Sequence, residues 1–237
     1  MKKLTNYSII FQNEQFVAVN KASGLSVGGD RWDESKERLD KLLERELKIP
    51  KIFTVHRIDK ETSGLIVFAK NKEIHKSLSI AFETKQIKKT YTVIVHGRPS
   101  WQETSCDLPL VPNGNKKHLT IIDKFKGKAS LTFFKCIKTT GNYSILEASP
   151  VTGRIHQIRV HLKALGHPVV CDSLYGNEKP VKLSSFKRGY KGDPINEVPL
   201  LSRLGLHALE LTLPDGQILT APLPRDMSAA IKQLSKN

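Results

Sequence analysis

Apolar segments of this chain recur in pairs joined by short turn signals, and that pairing constrains the fold more than any other feature. Y-S-I-I-F and F-V-A-V-N-K flank Q-N-E-Q, L-T-F-F-K-C-I and Y-S-I-L-E-A flank T-T-G-N, and L-G-L-H-A-L-E-L-T-L and Q-I-L-T-A-P-L flank P-D-G. Each pair reads as a β-hairpin with antiparallel strands. Helical spacing intervenes between some of them. In W-D-E-S-K-E-R-L-D-K-L-L-E-R-E-L the leucines fall at 39, 42, 43 and 47, with acids in the first turn and Pro50 past the end. Asn71 is placed to cap a helix carrying Ile74, Leu78, Ala81 and Phe82, followed by a strand in K-T-Y-T-V-I-V-H-G. Ile155, Ile158, Leu162 and Leu165 share one face of a short helix that Gly166 and Pro168 terminate, and Met227, Ile231 and Leu234 predict a last helix. T-V-H-R-I and G-L-I-V-F-A-K read as extended segments with Asp59 to Ser63 looping between them. Hairpins with inserted helices argue an α+β fold, a mainly antiparallel mixed β-sheet flanked by helices and loops, rather than a repeating βαβ order.

With 237 residues and 39% hydrophobic content, one domain spanning residues 1–237 is expected, and no repeat, low-complexity tract or linker interrupts it. Lys and Arg number 38 against 23 Asp and Glu, a formal net charge of +15 that favours a polyanionic partner, nucleic acid first. The opening lacks the apolar stretch of a signal peptide, and no apolar run approaches the ~20 residues that cross a bilayer, so a cytoplasmic protein with no membrane partner is expected. Cys106, Cys136 and Cys171 are odd in number and form no C-x-x-C pair, and read as buried small hydrophobes.

The chemistry is bounded by what is missing. Neither G-x-x-x-x-G-K-[ST] nor G-x-G-x-x-G occurs, which leaves a nucleotide cofactor without a phosphate cradle. H-R-I-D echoes a kinase catalytic loop but lacks its Gly-rich loop, D-F-G and spaced Asn. His156 and His161 have no carboxylate or thiol at zinc-ligand spacing. What stands out is H-R-I-D-K-E-T-S-G-L-I-V-F-A-K, residues 56 to 70, where Asp59 lies between Arg57 and Lys60. Nearby positive charge favours a carboxylate's ionised form, which suits a nucleophile or base. Hydrolysis of a glycosidic bond asks for two carboxylates, and Asp59 has no obvious second acid. On its residues alone the stretch reads first as a solvated loop in which Asp59 caps a turn.

That loop resembles the signature of the RluA family of pseudouridine synthases, enzymes that isomerise uridine in RNA. N-K-A-S-G-L-S-V from residue 20, K-K-T-Y-T-V-I-V-H-G at 88 to 97, T-G-R-I-H-Q-I-R-V-H-L-K-A-L-G-H-P at 152 to 168 and R-L-G-L-H-A-L-E-L at 203 to 211 resemble it too, in family order. The resemblance implies a pseudouridine-synthase catalytic domain with its cleft across the sheet. It implies Asp59 as the catalytic carboxylate, Arg159 as the basic residue that pairs with it, Tyr91 as the active-site tyrosine, and Arg57 as the residue that enters the RNA stack when the target uridine flips out. Leu206 is placed in the uracil pocket by the same analogy. Arg154 reads equally as a phosphate contact or a residue at a helix start, and His56 and His207 receive no role. Judged alone, Tyr91 and Leu206 read as core and Arg159 as a solvated helix residue.

The implied substrate is structured RNA, 23S ribosomal RNA or tRNA, and the implied reaction needs no cofactor, no metal and no protein partner, in a monomer. Lysine clusters at 85 to 89, 115 to 118 and 123 to 128 read equally as backbone contacts or solvated loops. Many relatives begin with an S4 RNA-binding domain, which is not expected here, so RNA choice is assigned to the catalytic domain. Residues 177–199 form a family-variable insertion with five cations, expected to fold over bound RNA. Cys171 and Asp172 stand where many relatives carry G-D, which puts the local turn geometry in question. Two other readings remain open, a noncatalytic RNA-binding protein and an N-glycosidase releasing uracil.

Overall fold

The computed structural model of the chain describes residues 6–29, 37–115 and 119–236. In chain order its elements are β1 (Tyr7–Gln12), β2 (Phe16–Lys21), α1 (Leu39–Leu47), β3 (Phe53–Thr54), β4 (Ser63–Ala69), α2 (Lys72–Glu83), β5 (Lys88–His96) and β6 (Glu103–Cys106). These are followed by β7 (Leu110–Val111), β8 (Ile121–Ile122), β9 (Thr132–Thr140), β10 (Tyr143–Pro150), α3 (Gln157–Ala164), a 3-10 turn at Leu183–Ser185, β11 (Leu206–Thr212), β12 (Ile218–Thr220) and α4 (Arg225–Lys236). The chain divides into two compact units, Met1–Lys89 with His207–Pro222, and Thr90–Leu206 with Leu223–Asn237. Among the described residues no helix is long and apolar enough to cross a membrane.

In the first unit the strand order is β1-β2-β4-β11, with β12 on β11 and β3 on β4. β4 is buried on both faces, as a central strand flanked by partners must be. Its antiparallel partner β2 runs Phe16 opposite Ala69, and its parallel partner β11 sets Ala208 opposite Gly64. That parallel pairing explains the glycine of T-S-G. Gly64 has φ +117, and a Cβ there would lie 2.2 Å from the Ala208 carbonyl oxygen. Beside it His207 Nε2 donates to the Ala221 carbonyl at 3.1 Å, so in the neutral ring Nδ1 accepts the Ser63 hydroxyl at 3.0 Å. α2 forms as its spacing predicts, with the Asn71 side chain accepting the Ile74 N–H at 2.9 Å and Leu78 and Ala81 buried against Phe16, Leu65 and Val67. α1 covers Leu39, Leu42, Leu43 and Leu47, carries the acid Asp40 in its first turn and ends at Lys48 in the left-handed region; residues 32–36 of the predicted run lie outside the described residues.

The predicted extended run T-V-H-R-I is mostly not a strand. β3 stops at Thr54, and two residues later the His56 ring replaces the backbone, its Nε2 accepting the Val67 N–H of β4 at 3.0 Å. The main chain is thereby released from the sheet to form the Arg57–Thr62 loop.

In the second unit the order is β5-β10-β9-β6, all antiparallel, with β7 and β8 as a separate two-stranded ribbon. β9 and β10 form the hairpin expected around T-T-G-N. β6, β7 and β8 were not legible, because four-residue and two-residue strands carry too little alternation to separate from loop. α3 starts at Gln157, so Ile155 lies outside the helix and is 52% exposed rather than on its apolar face. The reason is local: Gln157 Oε1 accepts the Thr152 hydroxyl and the Arg154 N–H, closing a turn over residues 152–157 before the helix begins, and His156 takes φ +56. Gly166, φ +82, follows the helix as predicted. The three cysteines are free and buried. Cys171 sits at φ +56, the backbone region glycine favours, so this chain takes up that conformation with a side chain in place. Residues 177–199 are closed at the base by reciprocal backbone hydrogen bonds, Val181 N–H to Leu201 and Leu200 N–H to Val181, both 2.8 Å.

Candidate active site

In the first unit, Arg57 is exposed, Ile58 is buried and Asp59 is half-buried at the turn that leads into β4. The turn closes with the Thr62 N–H donating to the Asp59 carbonyl at 3.1 Å. Its far side is braced by Lys21, a residue 0% exposed. Lys21 Nζ donates to the Ala22, Leu25 and Lys60 carbonyls, each at 2.9 Å, and the Lys60 carbonyl also accepts the Gly24 N–H at 2.8 Å. The Ser23 hydroxyl donates to the Glu61 carbonyl at 2.6 Å. All three ammonium hydrogens thus go to main-chain carbonyls, which ties N-K-A-S-G to the residues after Asp59. At the other end of the loop the His56 ring stacks on Phe82 with centroids 4.3 Å apart. Burial, and then Lys89, lower its pKa to about 3, so the ring stays neutral and keeps accepting the Val67 N–H. Burial alone lowers Lys89 to about 8.

The other sequence-predicted residues belong to the second unit. Tyr91 is half-buried on β5 and packs against the cluster that contains Leu206, Ile158 and Leu162, so the structure brings Tyr91 and Leu206 to one core. Leu206 is 3% exposed. Arg154 spends its Nε on the Ala129 carbonyl at 3.1 Å. Arg159 is 3% exposed, contrary to its bland reading as a solvated helix residue. Its Nε and Nη2 donate to the two carboxylate oxygens of Asp172 at 2.8 and 2.7 Å, a bidentate pair. Burial raises the Asp172 carboxyl, and Arg159 together with the Leu174 and Tyr175 amides outweighs it, holding the group below its usual range. The guanidinium also lies 5.1 Å from the centre of the Tyr175 ring. The Tyr175 hydroxyl accepts the Thr120 N–H at 2.9 Å and bonds His156 Nδ1 at 2.8 Å.

Sequence reasoning singled out neither Lys21, buried against the Asp59 loop of the first unit, nor Asp172 and Tyr175 as the groups that hold Arg159 in the second. C-D-S-L-Y following G-H-P was the available signal for the last two, since an acid near a basic helix is a candidate partner, but nothing local announces that Lys21 is buried. Chemically, the arrangement provides a half-buried carboxylate on a loop pinned at both ends and, in the second unit, a guanidinium fixed in plane by a carboxylate and an aromatic ring.

Residues 15–164 match the family profile described as RNA pseudouridylate synthase. Among known proteins the chain is 35% identical over 188 residues to the ribosomal large subunit pseudouridine synthase C of Rickettsia bellii, covering 78% of this chain and 62% of that one. It is likewise 35% identical over 209 residues to the dual-specificity RNA pseudouridine synthase RluA of Vibrio parahaemolyticus, covering 86% and 76%. The chain therefore spans about three fifths of the length of the Rickettsia relative. Its fold is similar to the solved structure of human RNA pseudouridylate synthase domain containing 4, with a TM-score of 0.75 at 25% identity over 96% of this chain and 93% of that one. By these matches the chain belongs to the RNA pseudouridylate synthase family, in its RluA branch.

Proposed function

We propose that this chain isomerises specific uridines in structured RNA, ribosomal RNA or tRNA, to pseudouridine. The observation that carries the proposal is Asp59, one carboxylate set in the family's signature loop and pinned by Lys21 and His56. In the reaction the N1–C1′ bond breaks, the uracil turns, a C5–C1′ bond forms, the C5 hydrogen leaves to solvent and N1 takes up a proton. Asp59 acts as the catalytic carboxylate, by addition to sugar or base or by removing a ribose proton; the same side chain serves each route. Because the target atom is inaccessible in a stacked strand, the uridine flips out, Arg57 stacks in its place, and Tyr91 and Leu206 receive the ring. Arg159 contributes permanent planar charge and Arg154 a backbone contact. No step calls for a cofactor or metal.

The test is tritium release from ribosomal RNA and tRNA transcribed with C5-tritiated uridine. Release by the wild type and only background release by Asp59→Ala is the expected result, and separating the RNAs names the substrate. Free uracil in place of isomerised nucleoside would replace the reading with an N-glycosidase, and no release with retained RNA binding would replace it with a noncatalytic binder.

A further inference from the structure

Phe125 is 98% exposed, between the exposed residues Lys124 and Lys126. An aromatic ring in that position buries nothing of its own chain, yet the turn that carries it is tightly built. Asp123 Oδ1 accepts the N–H groups of Phe125 and Lys126, both at 2.9 Å, and the Asp123 carbonyl accepts the Gly127 N–H at 2.9 Å. Gly127 closes the turn where no larger residue fits, since a Cβ there would lie 2.3 Å from the Asp123 carbonyl oxygen and 2.6 Å from the Pro109 carbonyl carbon. The base is tied down by reciprocal bonds between Leu110 and Lys128, at 3.0 and 2.9 Å, and by the Asp123 N–H donating to Pro109 at 3.1 Å. Leu110 itself is 0% exposed and packs with Val160 of α3 and with Tyr175, the residue whose ring faces Arg159. The turn is thus anchored through Leu110 beside Tyr175, the ring that faces Arg159, and it holds Phe125 out into solvent.

We propose that Phe125 is a stacking platform for an unpaired nucleobase of the RNA substrate, with Lys124 and Lys126 on the adjoining phosphates. Choosing RNA as the occupant rests on the proposed isomerase function and on charge complementarity. An apolar protein pocket would have to desolvate the two flanking ammonium groups to bury this ring, whereas a single strand offers a π-face and phosphates together. Aromatic rings between cations are how single-stranded nucleic acid is held without sequence preference, and a braced turn lowers the entropy lost on contact.

The probe is a fluorescein-labelled single-stranded RNA of about 12 nucleotides, within the usual site size of such surfaces, titrated into the full chain by anisotropy over a series of salt concentrations. Phe125→Ala should weaken binding about 5- to 150-fold with an unchanged salt slope. Phe125→Trp should restore it, with indole emission quenched by the RNA. Lys124→Gln combined with Lys126→Gln should lower the slope of log K against log salt by about 0.7 per lysine. Equal affinity of Phe125→Ala and wild type, with an equal thermal midpoint, would overturn the proposal and leave an acidic protein partner as the use of the turn. Tritium release separates this failure from that of the isomerase reading. Release by the wild type with no effect of Phe125→Ala on binding sinks only the stacking, and Phe125-dependent binding without release sinks only the isomerase.

Discussion

Replacing Asp172 by asparagine keeps the side chain's shape and removes its charge, at a position where burial makes charge expensive to mismatch. The carboxylate accepts four hydrogen bonds, from Arg159 Nε at 2.8 Å, Arg159 Nη2 at 2.7 Å, Leu174 N–H at 2.9 Å and Tyr175 N–H at 3.1 Å. Asparagine offers one carbonyl oxygen, which can retain the two backbone amides, and sets an NH2 donor against a guanidinium donor. With side chains 4% and 0% exposed, Arg159 and Asp172 form a buried pair, and breaking such a pair from one side costs about 3–5 kcal/mol. At roughly 2–4 °C per kcal/mol for a chain of this size, the thermal midpoint followed by circular dichroism should fall by about 6–20 °C. Asp172 has a folded pKa below its ordinary 3.8, so its contribution is fully present above 3.8 and lost as pH falls through the folded value. The gap between wild type and variant should therefore stay constant from neutral pH to about 4 and narrow only below it. Arg159→Met combined with Asp172→Leu should recover much of the stability, because the pair's desolvation goes with its charges. A loss below about 1 kcal/mol in Asp172→Asn would refute the reasoning, since it would mean that the guanidinium is stable in the interior without this carboxylate.

Gly64→Ala forces a non-glycine residue to φ +117 and its Cβ to 2.2 Å from the Ala208 oxygen, so β4 and β11 must part; loss of soluble folded protein, or a destabilisation of at least about 3 kcal/mol in urea, is expected. His56 has a folded pKa of about 3 against 6.5 unfolded, so its neutral ring contributes stability above 6.5 that is lost as pH falls from 6.5 toward 3. His56→Gln, which keeps an acceptor for the Val67 N–H, should show a shallower fall of thermal midpoint over that interval, whereas a profile identical to wild type would mean that His56 does not titrate with unfolding.

The elements most legible in the sequence were those whose signals are local. Asn71 and the spacing of Ile74, Leu78 and Ala81 are enough to write α2, and Gly166 with Pro168 ends α3 where expected. Errors fell where one side-chain hydrogen bond to the backbone decided the local geometry. T-V-H-R-I has strand composition, yet His56 gives its ring to Val67 and stops the strand. Ile155 keeps helical spacing, yet Gln157 turns the chain beneath it and delays the helix to the next residues. The candidate carboxylate was found through resemblance of five blocks to a known family, because the pattern D-K-E-T-S-G taken alone also describes an ordinary turn.

The sequence by itself determined the hairpins, the helices with caps, the net charge of +15 and the family, since each is written in neighbouring residues or in ordered motifs. Which charged residues go inside was decided only by the tertiary structure. Lys21 and Arg159 carry the composition of a surface and are buried. A charge can be buried only where partners converge on it, and the Lys60 carbonyl and the Asp172 carboxylate arrive from 39 and 13 residues away. No window of sequence contains both the charge and the fold that makes its burial tolerable.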